Sequence, residues 1–178
     1  MKDRTFVTGF GAFQDIAVNP SSKLAETCGR PFRNLEVAFQ AVDDFVQELS
    51  PATFDRLLML GVASSRDRLT PELFARNMLG PSKDVRGYAR EGFIVPEAPL
   101  LLESTLWTPQ ILSEIVAYDP HTKISMDAGE YLCNYISYRA LQRFPDKQVG
   151  FLHVPSESHL PLAEQSATLE RILSVIER

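Results

Sequence analysis

Apolar residues along this chain fall into short dense runs, separated by stretches in which they recur every third or fourth position. That is the pattern of strands alternating with helices. Thr5–Gly9 (TFVTG) is a run of β-formers closed by glycine, and Arg56–Gly61 (RLLMLG) is almost wholly apolar, as expected of a strand covered on both faces. Leu35–Val42 and Val149–Val154 predict two more strands, and Lys123–Met126 a shorter one. Asn19-Pro20 supplies a capping side chain followed by proline at the first helical position. It predicts a helix from Pro20 to about Cys28, stopped by Gly29. Thr108-Pro109 opens a similar helix to about Tyr118, while Glu130–Phe144 and Leu162–Glu177 predict two others. Alternation with short links implies an α/β fold, a three-layer α/β/α sandwich around a mostly parallel central sheet, with residues 1–178 forming a single domain. From about Thr70 to Leu106 the rhythm fails. Met78–Pro99 is rich in glycine, proline and charge and reads as a long excursion over the sheet, of the kind that is either functional or mobile.

Composition narrows the classes. The 178 residues are 44% hydrophobic and 23% charged, with a formal net charge of −5, which suits a soluble globular domain. An acidic balance without clustered Lys and Arg argues against nucleic acid and against an anionic membrane surface. No apolar run approaches the roughly 18 residues of a membrane span. Met1-Lys2-Asp3-Arg4 leads straight into a strand rather than into a signal-peptide core. With two cysteines, Cys28 and Cys133, too few for a disulfide scaffold, the expectation is a cytoplasmic protein with reduced thiols.

Candidate chemistry sits at strand ends. Gly9-Phe10-Gly11-Ala12-Phe13 begins like a phosphate-binding loop, but the third glycine of a dinucleotide fingerprint is absent and no Gly-Lys-Ser/Thr follows. Phe10 and Phe13 are then either core residues or, at the carboxyl edge of an open sheet, the walls of a pocket for a flat neutral ring. Cys133 follows the turn Asp127-Ala128-Gly129 and falls in the first turn of a helix, where free amides and the positive helix end favour a thiolate. The competing reading is a buried inert cysteine, which suits Cys28. His153 ends the strand VGFLHVP at an edge position fit for a base, although a strand histidine can equally be a satisfied core residue; His121 and His159 lie in polar turns. Glu72, flanked by Leu69, Leu73, Phe74 and Ala75, is either a carboxylate that orients the histidine or a capping glutamate after Thr-Pro. Neither cysteine nor histidine shows metal-ligand spacing, and the chemistry requires no cofactor.

Taken together, four segments resemble the type I pyroglutamyl peptidases, also called pyrrolidone-carboxylate peptidases. SMDAGEYLCN (Ser125–Asn134) is similar to the family's cysteine signature, LTPELFARN (Leu69–Asn77) to its glutamate signature, and GFLHVP (Gly150–Pro155) to its histidine strand. TGFGAF with Asn19-Pro20-Ser21 resembles its opening. The resemblance implies a phosphorylase/hydrolase-like fold and a cysteine exopeptidase that removes N-terminal pyroglutamate (5-oxoproline) from peptides through a thioester. Cys133 would be the nucleophile, His153 the general base and acid, and Glu72 the orienting carboxylate. Phe10 and Phe13, with Asn19, would bind the pyrrolidone ring. The backbone amide of Cys133 is a reasonable oxyanion donor, and a homo-oligomer, by resemblance a tetramer, is implied.

Departures from the family pattern fall outside these three residues. Ala12 and Gln14-Asp15 replace a proline and a glycine pair, Ser64-Ser65-Arg66 replaces Gly-Gly-Arg, and Leu73 stands where a basic residue is usual. Arg86 is a candidate for the family's oxyanion-site arginine. Two alternatives therefore accompany the main reading: a related cysteine amidohydrolase for another small acyl group, and a non-catalytic binding module on the same fold.

Overall fold

The computed structural model describes residues 4–13, 16–119 and 122–178, so Gln14, Asp15 and His121 lie outside the described residues. In chain order the elements are β1 (Thr5–Phe10), α1 (Pro20–Thr27), β2 (Phe32–Leu35), α2 (Phe39–Glu48), β3 (Arg56–Val62), β4 (Thr70–Glu72), β5 (Phe74–Arg76), β6 (Leu101–Glu103), α3 (Pro109–Tyr118), α4 (Leu132–Arg143), β7 (Gln148–Val154) and α5 (Leu162–Ile176). Five strands form the central sheet in the order β2-β1-β3-β7-β4. All neighbours are parallel except β4, which runs antiparallel along β7.

Alternation along the strands builds two cores. Leu57 and Met59 of β3 and Phe151 of β7 face α2 and α4, whereas Leu58, Leu60, Leu152 and Val154 face α1, α3 and α5. Both faces of β3 and β7 are thus covered, which is why they read as continuous apolar runs. The three-layer arrangement with a mostly parallel sheet follows from this. From β1 the chain turns first to β2 on one side, then crosses to β3 on the other. The carboxyl ends of β1 and β3 therefore flank a topological switch point, where open α/β sheets bind ligands.

Local sequence explains most of the rest. Asn19 caps α1, its Oδ1 accepting the Ser21 N–H at 3.1 Å, and Gly29, at φ 71°, follows the helix in the left-handed conformation that favours glycine. Gly9 does not turn the chain but lies within β1. A Cβ there would come within 2.4 Å of the Ser21 carbonyl oxygen, so glycine is what allows α1 to pack directly on the strand.

Two expectations require correction. The strand expected at Leu35–Val42 is the end of β2 followed by α2, in which Val42, Phe45 and Val46 make the buried helical stripe. That helix has no side-chain cap of its own; Asp84 supplies one from the excursion, accepting the Phe39 N–H at 3.0 Å. The strand expected at Lys123–Met126 reduces to one bridge, Ser125 to Glu72, with Ile124 and Met126 exposed. The region from Thr70 to Leu106, where the rhythm fails, carries pairing of its own. It opens on β4 and β5, closes on β6, and is stitched between by bridges Leu79–Gly92 and Lys83–Ala89 and by the Asn77 amide, which bonds the Val95 N–H and the Val95 carbonyl. No helix is long and apolar enough to cross a membrane among the described residues.

Candidate active site

Adjacent strand ends place the candidate residues. In the register of β7 against its neighbours, His153 lies opposite Gly61 of β3 on one side and Thr70 of β4 on the other. Glu72 follows two residues along β4, on the same face as Thr70. The His153 Nδ1 and the Glu72 Oε1 stand 2.7 Å apart, both side chains being buried. Cys133 lies close enough to the same imidazole to act on its charge, and with Nδ1 committed to Glu72 the Nε2 edge of the ring is left free. Burial alone would lower the His153 pKa, but Cys133 and then Glu72 favour the imidazolium strongly enough to push it up to about 9.

Cys133 is the second residue of α4, whose N-cap is Tyr131 and whose first turn has no side-chain cap. The Cys133 amide belongs to the first turn and has no intrahelical acceptor. Gly61 makes room for the sulfur: a Cβ on it would stand 2.8 Å from Cys133 Sγ and 2.6 Å from Phe151 Cζ. The Phe151 ring in turn packs edge-on against His153 at 4.9 Å.

Beside Cys133 opens a recess of about 60 Å³ whose walls include Phe10, Phe13, Asn19, Val62 and Tyr131. Phe10 is 4% exposed and belongs to the core, whereas Phe13 is only partly buried and leans on Tyr131, ring centroids 5.9 Å apart. Phe10→Ala is therefore expected to cost about 3–5 kcal/mol of stability. Phe13→Ala is expected to keep the fold and raise KM about tenfold, which is about 1.4 kcal/mol of lost binding. Thermal melts and steady-state kinetics on the two variants check this, and equal losses of stability would contradict it. Asn19 lines the recess but spends its polar atoms on the protein: Oδ1 caps α1, and Nδ2 donates to the Gly11 carbonyl at 3.1 Å.

Other candidates are not brought to the site. Cys28 is buried against the opposite core, where its thiol is raised by burial and donates to the Ala25 carbonyl at 3.2 Å. His159 is exposed and hydrogen-bonded to Ser156. Arg86 forms an ion pair with Glu36 on the surface and does not line the recess. Among the described residues no group of three or more His, Cys, Asp or Glu could hold a metal ion.

Several residues at the site had no role in the sequence reading. Tyr131 supplies the third aromatic wall; burial first, then Asp84 and Cys133, push its pKa up to about 12, and the neutral hydroxyl donates to the Lys83 carbonyl at 2.9 Å. Asn134, fully buried, holds β5 against α4 by accepting the Arg76 N–H and donating to the Arg76 and Met78 carbonyls. Arg66 reaches Glu72 at 3.2 Å. Tyr131 and Asn134 fall inside the cysteine-bearing segment Ser125–Asn134, and Arg66 follows β3, but local sequence gave no sign of what they touch.

A thiol at a helix N-terminus, facing a buried imidazole–carboxylate pair at the carboxyl edge of a parallel sheet, is the arrangement of a cysteine-type peptidase, and comparison with known proteins assigns the chain to that class. The family model described as pyroglutamyl peptidase matches residues 3–172, and the chain belongs to that family. It is 30% identical to the pyrrolidone-carboxylate peptidase of Oceanobacillus iheyensis over 173 residues, covering 89% of this chain and 87% of that protein. The structure of pyrrolidone carboxyl peptidase from Thermus thermophilus superimposes with a TM-score of 0.80 at 30% identity, covering 97% of each chain. The enzyme of the same name from Thermococcus litoralis shares the fold with a TM-score of 0.87 at 23% identity, over 97% of this chain and 92% of that one.

Proposed function

We propose that this protein hydrolyses the bond joining an N-terminal pyroglutamyl residue to the rest of a peptide. The observation that carries the reading is an apolar recess walled by Phe10, Phe13 and Tyr131 and lined also by Cys133. Ordinary aminopeptidases must hold a charged α-amine. A pyroglutamyl group has none, and its flat neutral lactam suits an aromatic slot without a counter-ion. Asn19 contributes by fixing the slot's wall through Gly11.

In this reading Cys133 passes its proton to His153 and its sulfur attacks the pyroglutamyl carbonyl carbon. The carbonyl oxygen takes the negative charge beside the first-turn amide of Cys133, which stabilises it at the positive end of α4. Collapse breaks the C–N bond, and the imidazolium gives its proton to the departing amine. His153, now neutral, takes a proton from water, whose oxygen attacks the thioester carbon; the C–S bond breaks and free pyroglutamate leaves. Glu72 holds the His153 ring in the orientation and tautomer this requires. A reduced thiol is needed throughout, in keeping with work in the cytoplasm.

The test is a panel of acyl-aminocoumarins on freshly reduced protein. Release from the pyroglutamyl compound is expected to exceed that from prolyl, acetyl and other small acyl analogues by at least about tenfold. A better substrate elsewhere in the panel would identify a different cysteine amidohydrolase. No turnover of any member by folded protein would leave a binding module.

A further inference from the structure

Glu72 Oε1 accepts two donors at once. Besides His153 Nδ1 at 2.7 Å, Nη2 of Arg66 approaches it at 3.2 Å. The same Arg66 nitrogen donates to Ser125 Oγ at 3.0 Å and to the Asp127 carbonyl at 3.4 Å. Ser125 also brackets Glu72 through the backbone, its N–H bonding the Pro71 carbonyl and its carbonyl accepting the Leu73 N–H. Carboxylate and guanidinium are therefore fixed to one strand bridge. Among the described residues nothing donates to Glu72 Oε2, so both cationic partners converge on one oxygen.

The consequence appears when His153 loses its charge. While Cys133 is a thiolate, the imidazolium balances two anions. Once the thiol is acylated and the proton has left with the amine, Glu72 would be a buried carboxylate beside a neutral ring. Such a pair binds a proton tightly, and a protonated His153 cannot take one from water. We infer that Arg66 is a positioning residue whose positive charge behind Glu72 keeps His153 neutral in the acyl-enzyme, and so sets the rate of thioester hydrolysis. This rests on reading Cys133, His153 and Glu72 as the reacting triad. Other charges nearby are already matched: Asp127 with Arg76, Glu130 with Arg76, and Asp67 with Lys123. Among the described residues, the titratable groups that act on His153 are Cys133 from α4 and Glu72 from β4, with Arg66 behind Glu72.

Histidine titration by NMR in a Cys133→Ala background tests this without any substrate, because it removes the thiolate as acylation does. Adding Arg66→Gln is expected to raise the His153 midpoint by about one pH unit, and Arg66→Lys by less. His159, exposed and hydrogen-bonded to Ser156, serves as the internal reference. Ser125→Ala loosens Arg66 without touching Glu72's side chain and is expected to give a smaller shift of the same sign, which keeps the test open if Arg66→Gln fails to fold. In the otherwise native enzyme, Arg66→Gln is expected to release a burst of coumarin and then turn over slowly at neutral pH, recovering as pH rises. An unmoved His153 midpoint, or a fall in kcat of equal size at every pH with no burst, overturns the proposal. A midpoint that moves in protein inactive on pyroglutamyl substrates would instead sustain Arg66 and remove the substrate assignment.

Discussion

Cys133→Ala is expected to lower kcat/KM for a pyroglutamyl-aminocoumarin by about four orders of magnitude or more, because in the proposed mechanism it removes the nucleophile and with it the covalent route. Stability is expected to change little. Cys133 is only partly buried and lines the recess, so the truncation leaves no sealed cavity. The measurement is coumarin release with a thermal melt on the same sample, alongside native protein blocked with iodoacetamide, which is expected to lose activity equally. Cys28→Ala is the control: that thiol is buried in the core across the sheet, and its loss is expected to spare kcat. A Cys133→Ala protein retaining more than about one per cent of activity would move the nucleophile elsewhere.

Gly61→Ala is expected to have the second largest effect, although the residue bears no chemistry. Its added methyl would stand 2.8 Å from the Cys133 sulfur and 2.6 Å from the tip of the Phe151 ring. Backbone at Gly61 is tied to β7 in register with His153 and cannot retreat, so the two side chains must move. Either movement disturbs catalysis: the sulfur shifts relative to the imidazole, or the ring that packs against His153 tilts. Misplacement by about 1 Å can cost a hundredfold in rate, so kcat is expected to fall about a hundredfold with KM nearly unchanged. Overpacking of this kind is expected to cost about 1–3 kcal/mol of stability. Steady-state kinetics and the rate of iodoacetamide alkylation check both halves, and undiminished kcat would show that the site has slack the distances deny.

The fold was legible where packing is symmetric. β3 and β7 are covered on both faces and carry unbroken apolar runs, and α1 and α3 begin with a capping side chain and proline. It was not legible at α2. There Val37 and Phe39 alternate as a strand would, and the helix's own start lacks a cap because Asp84, 45 positions on, provides it. Ser125 misled for a related reason: its single bridge serves Glu72 rather than a strand of its own.

By itself the sequence determined the reactive types and their neighbourhoods: a cysteine in the first turn of a helix, a histidine at a strand end, a carboxylate in apolar surroundings, two phenylalanines after the first strand. These are local facts, carried by spacing and by helix and strand chemistry. The tertiary structure alone decided which of these side chains meet. Glu72 meets His153 because β4 lies antiparallel along β7, bringing it to a histidine 81 positions away. Phe10 is core and recess wall at once, Gly61 is the space the sulfur occupies, and Arg66 meets the carboxylate because a turn after β3 folds back on β4. Parallel strands gather their carboxyl ends at one edge whatever their separation in the chain, so contacts made there leave no periodic trace in the sequence.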